Sequence, residues 1–157
     1  MSARRAGPAR LVAAAILALA ALPTFAATVR LDDSASQVIP PNATWQWESR
    51  SLRSGINTLH MNIRVNVRID TRAYAGRQGN IYMALPPDGS STVRAEWFTH
   101  GRLLPGRLAS GERVVVYSGV IPGPYLDDTI QVHLTTDARQ LAEDVRRIQF
   151  NFELDTP

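Results

Sequence analysis

Leu59-His60-Met61-Asn62-Ile63-Arg64-Val65-Asn66-Val67-Arg68-Ile69-Asp70 decides the fold. Every odd-numbered residue in this run is apolar and every even-numbered one is polar. A period of two places all six apolar side chains on one face of a β-strand and leaves the other face to water. A helix would scatter the same side chains around its whole circumference. At about 3.3 Å per residue the run reaches about 36 Å, long enough to span one layer of a sandwich.

The pattern recurs on either side. Residues 43–49 alternate with Trp45 and Trp47 on one face, and residues 129–135 alternate through Ile130, Val132 and Leu134. Residues 147–155 alternate through Ile148, Phe150, Phe152 and Leu154, and 28–32 read as a first strand. The Val-Val-Val run within 113–118 reads as a strand buried on both faces. Residues 80–85 and 92–99 read as two strands of a hairpin joined at Pro86-Pro87-Asp88-Gly89-Ser90. Further turn residues stand at Ser54-Gly55, 76–80, Pro105-Gly106, Ser110-Gly111 and Pro122-Gly123-Pro124. Only 137–145 has helical spacing, Leu141 to Val145 with Asp137 as a cap, and it reads equally as a hairpin connection. Seven or eight short strands with regular turns predict an all-β fold, a single antiparallel β-sandwich of immunoglobulin-like type.

One stretch resembles β-sandwich modules of bacterial secreted and cell-surface proteins. It comprises Gly79-Asn80-Ile81-Tyr82-Met83-Ala84-Leu85-Pro86-Pro87-Asp88-Gly89, then Trp97-Phe98, then Tyr117-Ser118-Gly119. The resemblance implies a sandwich module outside the cytoplasm. Its motif is structural, so it carries no functional residue over.

The N-terminus has the order of a secretory signal. Arg4, Arg5 and Arg10 precede an uncharged apolar run from Leu11 to Leu22, Pro23 breaks it, and Thr24-Phe25-Ala26 offers small residues for cleavage. That run is too short for a membrane span, which takes about 20 residues. Ala6-Gly7 after Arg4-Arg5 departs from a twin-arginine signal and favours the general secretory route. The expected organisation is a signal peptide over 1–26 and one β-sandwich domain over 27–157, periplasmic or secreted, with no stable membrane anchor after cleavage.

Cleavage changes the charge. The chain has 17 basic and 14 acidic residues, a net +3, and Arg4, Arg5 and Arg10 all leave with the signal. The remaining 17 − 3 = 14 arginines balance the 14 acids, all of which lie at or beyond Asp32. A nucleic-acid partner, which wants a basic excess, is thereby disfavoured. With no cysteine, disulfides and thiolate metal sites are excluded.

Catalytic patterns are sparse. His60, His100 and His133 are far apart with no metal-ligand spacing, and no G-x-S-x-G elbow surrounds Ser110 or Ser118. Of the acidic pairs Asp32-Asp33, Asp127-Asp128 and Glu143-Asp144, neighbours on a strand face opposite ways. Asp127-Asp128 remains a candidate for calcium oxygens against a solvated loop. Neither a metal nor another cofactor is expected.

The binding candidates are Trp45, Trp47, Arg64, Arg68, Trp97 and Phe98. Trp45 and Trp47 are either a stacking platform for a sugar ring or apolar segment, or core. Trp97 and Phe98 must point oppositely, so one of them faces outward. Arg64 and Arg68 flank Asn66 on the wet face of the long strand. The expected function is non-catalytic binding of a protein, glycan or envelope component. A subunit of a pilus or surface assembly, donating a strand through Val29 and Leu31, and an enzyme with a loop-built site stand as alternatives.

Overall fold

A computed structural model describes residues 27–47, 57–87, 93–140 and 148–156. Residues 1–26, expected as a signal peptide, Glu48-Ser49 of the expected tryptophan strand, the expected Ser54-Gly55 turn, Asp88-Gly89-Ser90 and the stretch 141–145 lie outside the described residues.

The alternating run forms β4 (Thr58–Asp70), and its partner in full register is β9 (Tyr125–Asp137). Odd-numbered residues of β4 meet even-numbered residues of β9 on the inner face, where Val67, Ile69, Leu126, Ile130, Val132 and Leu134 are all buried. Around this pair stand β1 (Ala27–Arg30), β2 (Gln37–Ile39), β3 (Gln46–Trp47), β5 (Gln78–Ala84), β6 (Arg94–Thr99), β7 (Gly106–Ala109), β8 (Arg113–Val120) and β10 (Asn151–Thr156). They make two antiparallel sheets. One runs β1-β10-β5-β8, the other β2-β4-β9-β6-β7 with β3 also on β4.

The expected class, an antiparallel β-sandwich, holds. The chain alternates between sheets at β4→β5→β6 and again at β7→β8→β9→β10. Within the class this is the doubled Greek-key order of a jelly roll, with only β6–β7 as an adjacent hairpin among these strands, rather than the immunoglobulin order. Ile81, Met83, Val116, Phe152 and Leu154 from the smaller sheet meet the β4/β9 side chains in one core. Burial of each large apolar side chain contributes about 1.5–3 kcal/mol.

Three expectations change. The strands flanking Pro86-Pro87 are no hairpin: β5 lies in the smaller sheet and β6 in the larger, so the connection crosses the sandwich. The valine run is not buried on both faces, because β8 is an edge strand paired with β5 alone in its sheet. Val116 is buried there, whereas Val114 and Val115 are half-exposed. Third, the described part of the helical candidate is a short 3-10 turn, Ala138–Gln140. β2 and β7 were not anticipated.

β7 depends on a close approach. Gly106 lies opposite Trp97, and a Cβ there would come within 2.7 Å of the indole ring. Glycine lets the backbone lie against a large aromatic side chain.

Candidate functional site

The outer face of the larger sheet is a ruled surface whose rungs follow from strand register. Ile39 of β2, Arg64 of β4, Gln131 of β9 and Phe98 of β6 form one rung. Asn62, His133, Glu96 and Arg107 form the next, and His60, Thr135 and Arg94 the one beyond. On the other side come Gln37, Asn66 and Thr129, then Arg68 and Asp127.

Phe98 (58% exposed) and Ile39 (41%) stand as apolar walls three strand spacings apart, about 14 Å. Between them β4 and β9 provide a polar floor. Pro40, Asn62, Arg64, Gln131 and His133 complete an open hollow of about 560 Å3 with these walls. A second hollow, around Arg94, Glu96 and Arg107, adjoins it through His133, and a third lies around Asn66, Arg68 and Thr129. The floor from Asn66 to His60 runs about 20 Å along the strands.

Part of this floor is fixed by its own contacts. His133 Nδ1 lies 2.7 Å from Asn62 Oδ1, and its ring stacks on His60 at 6.0 Å between centroids. Thr129 Oγ1 donates to Asn66 Oδ1 at 3.2 Å. Arg68 pairs with Asp127 at 3.7 Å and lies over the Tyr125 ring at 4.3 Å, which Arg72 also approaches. Arg72 in turn hydrogen-bonds Asp70, and those bonds hold the Asp70 carboxyl below the usual carboxylate range. Arg64 and Gln131, at the centre, make no side-chain hydrogen bond or ion pair among the described residues.

The six candidate residues divide. Arg64 and Phe98 come together in one rung, with Gln131 between them. Arg68 shares the face but is committed to Asp127 and Tyr125. Trp97 is a correction: it is 1% exposed, its Nε1 donates to the Leu104 carbonyl at 2.9 Å, and it belongs to the core. Trp45 and Trp47 do not share the Arg64 face either. Trp47 is opposite inward-facing Leu59 and Trp45 packs partly against the core, while Trp47 stands 58% exposed. Gln131 escaped the sequence reading and His133 was weighed there only as a metal ligand, because polar positions on a strand look alike until the register aligns them, and Ile39 escaped it in a strand of three residues.

The other chemical candidates have structural employment. Asp127 and Asp128 diverge: Asp128 accepts hydrogen bonds from Thr99 Oγ1, the Leu103 amide and the Thr129 amide. Ser118 donates to Asn80, and Ser110 bonds the Val93 backbone. His133 and Glu96 are cross-strand neighbours, but no hydrogen bond joins them. Among the described residues no group of three His, Asp or Glu side chains is placed to hold a metal ion. None of the described helices is long and apolar enough to cross a membrane.

No protein-family model matches the chain, and no curated protein does. Among solved structures it is similar to the module TmCBM61 in complex with β-1,4-galactotriose, at 4% identity over 80% of this chain and 86% of that one, TM-score 0.29. It is also similar to the C-terminal family 22 carbohydrate binding module of Clostridium thermocellum Xyn10B, at 15% identity over 77% and 83%, TM-score 0.24. A xylan-binding domain of the same family gives 15% identity, 77% and 84% coverage and a TM-score of 0.21. At these TM-scores the fold rests on the strand pairings described above.

Proposed function

We propose that the protein is an exported, non-catalytic binding module that holds a glycan chain across the outer face of its larger sheet. Export rests on the charged, apolar and small-residue order of residues 4–26. The single observation behind the binding role is the rung Ile39–Arg64–Gln131–Phe98, apolar at its ends and, among the described residues, without side-chain partners in its exposed middle. A sugar ring is itself two-sided. Its C–H face packs on an aromatic or aliphatic wall, and its hydroxyls seek amide, imidazole and guanidinium partners. A shallow open floor suits an extended chain better than a small molecule, which takes a concave, enclosing pocket.

Affinity electrophoresis of the mature chain in gels containing polysaccharides tests this. Retardation by at least one polysaccharide is expected, lost in Phe98→Ala and kept in Tyr82→Ala on the opposite sheet. Equal retardation of both variants would move the site elsewhere.

A second reading, strand addition in an assembly, draws on the exposed Val38 and Ile39 of edge strand β2. The N-terminal strand that a subunit would donate is used within this chain: β1 pairs with β10, and Leu31 is buried. A strictly monomeric protein in sedimentation experiments removes this reading.

A further inference from the structure

We infer that the ligand of this face is an anionic glycan, with a carboxylate or sulfate group seated on Arg64. The inference rests on the glycan reading above and adds the charge. Arg64 stands mid-floor with neutral neighbours on every side: Ile39 and Gln131 across the sheet, Asn62 and Asn66 along its own strand. No acid pairs with it among the described residues. The nearest arginine on the strand, Arg68, shows the alternative, since Asp127 lies opposite it and forms its ion pair.

The same contrast holds down the face. Arg94 and Arg107 also have no ion pair among the described residues, and Glu96 sits between them without closing one. Glu112, beside them, is committed to the Ala109 amide. Among the described residues the rungs from His60 to Arg68 therefore carry four arginines against Asp127, Glu96 and Glu112, Asp137 and Asp70 at the two ends of the face being held by Arg139 and Arg72. The arginine in the walled hollow has no counter-charge in its own rung. Lack of acids in the chain is no explanation, because it has 14. On the opposite sheet Arg113 is held by both Glu153 and Asp155. A guanidinium offers a planar fork of donors that matches a carboxylate or sulfate bidentately. Gln131 and Asn62 then take adjacent hydroxyls, and Phe98 and Ile39 confine the chain laterally.

Titration calorimetry on the mature chain decides it, with four probes: an oligouronate hexasaccharide, a heparin-derived hexasaccharide, xylohexaose and polyglutamate. One or both anionic saccharides should bind about tenfold or more tighter than xylohexaose, weakening as salt rises. Arg64→Gln should remove most of that preference without altering the melting temperature, and Arg64→Lys should restore part of it. Preference for the heparin fragment over the uronate assigns sulfate as the group, and the reverse assigns carboxylate. Equal binding of xylohexaose, unaffected by Arg64→Gln, overturns the charge while leaving the glycan platform standing. Polyglutamate competing as strongly as the saccharides overturns the ligand class in favour of an acidic protein. No binding of any probe overturns both the charge and the platform.

Discussion

On the outer face of the four-stranded sheet, Arg113 bonds Glu153 at 3.2 Å and Asp155 at 3.0 Å and lies 4.3 Å over the Tyr82 ring. Beside it Thr28 donates to Asp155 and Ser118 to Asn80. On the outer face of the six-stranded sheet, Arg64 has isoleucine on one side, glutamine on the other, and no acid paired with it among the described residues. Both faces are antiparallel, solvent-facing and rich in polar side chains, so folding alone does not account for the difference. At Arg113 one surface closes its guanidinium with two acids, and at Arg64 the other leaves a guanidinium, an amide and a phenyl ring exposed in a line. Groups left unpaired beside apolar walls are free to exchange water for a ligand.

The largest expected effects test whether the two faces rest on one core. Leu154→Ala beneath the smaller sheet and Leu134→Ala beneath the larger remove fully buried side chains, and each should lower stability by about 2–5 kcal/mol. Chemical denaturation should show a single transition in both variants. Separate transitions would mean that the sheets unfold as independent layers and that their faces cannot be compared as parts of one unit.

Next in size is Phe98→Ala. Under the proposed glycan-binding role affinity should fall about tenfold, or about 1.4 kcal/mol, while stability stays within about 0.5 kcal/mol of the parent, as expected for an exposed position. Arg113→Gln should do the reverse. Its ion pairs are partly solvent-exposed and screened, so stability drops by no more than about 1 kcal/mol, with affinity unchanged. If Arg113→Gln weakened binding and Phe98→Ala weakened folding, the assignment of the faces would be inverted.

The smallest effect is a pH dependence. The Thr28 hydroxyl, and after it Arg113, hold the Asp155 carboxyl below its ordinary value of 3.8. A carboxyl depressed in the folded state contributes stability above its unfolded value, and that contribution is lost as pH falls through the folded one. Melting temperatures taken from pH 5 to acid should therefore fall less steeply in Thr28→Val than in the parent. Arg64→Gln, with no paired acid among the described residues to release, should leave that slope unchanged.

The sequence made the sandwich legible where one face of a strand is dry and the other wet, as in β4 and β9. It was less informative about connections. Pro86-Pro87 announces a turn, but a turn signal does not say whether the next strand pairs with the last or crosses to the other sheet. β8 misled for a related reason: valines suit a strand whether or not a second neighbour covers them. The candidate site was half legible. Arg64 belongs to an unmistakable wet face, and the Trp97-Phe98 dipeptide had to send one ring outward. Ile39 lies in a three-residue strand too short to show a period, and Gln131 acquires meaning only from the rung it completes.

That dipeptide has a mechanical consequence. Trp97 is clamped by its bond to Leu104 and by the backbone of Gly106, and successive side chains of a strand leave by opposite faces. The ring of Phe98 is therefore aimed by the packing of the residue before it. A ligand meets a preorganised wall, with little backbone ordering left to oppose association, so free and bound forms should superimpose closely.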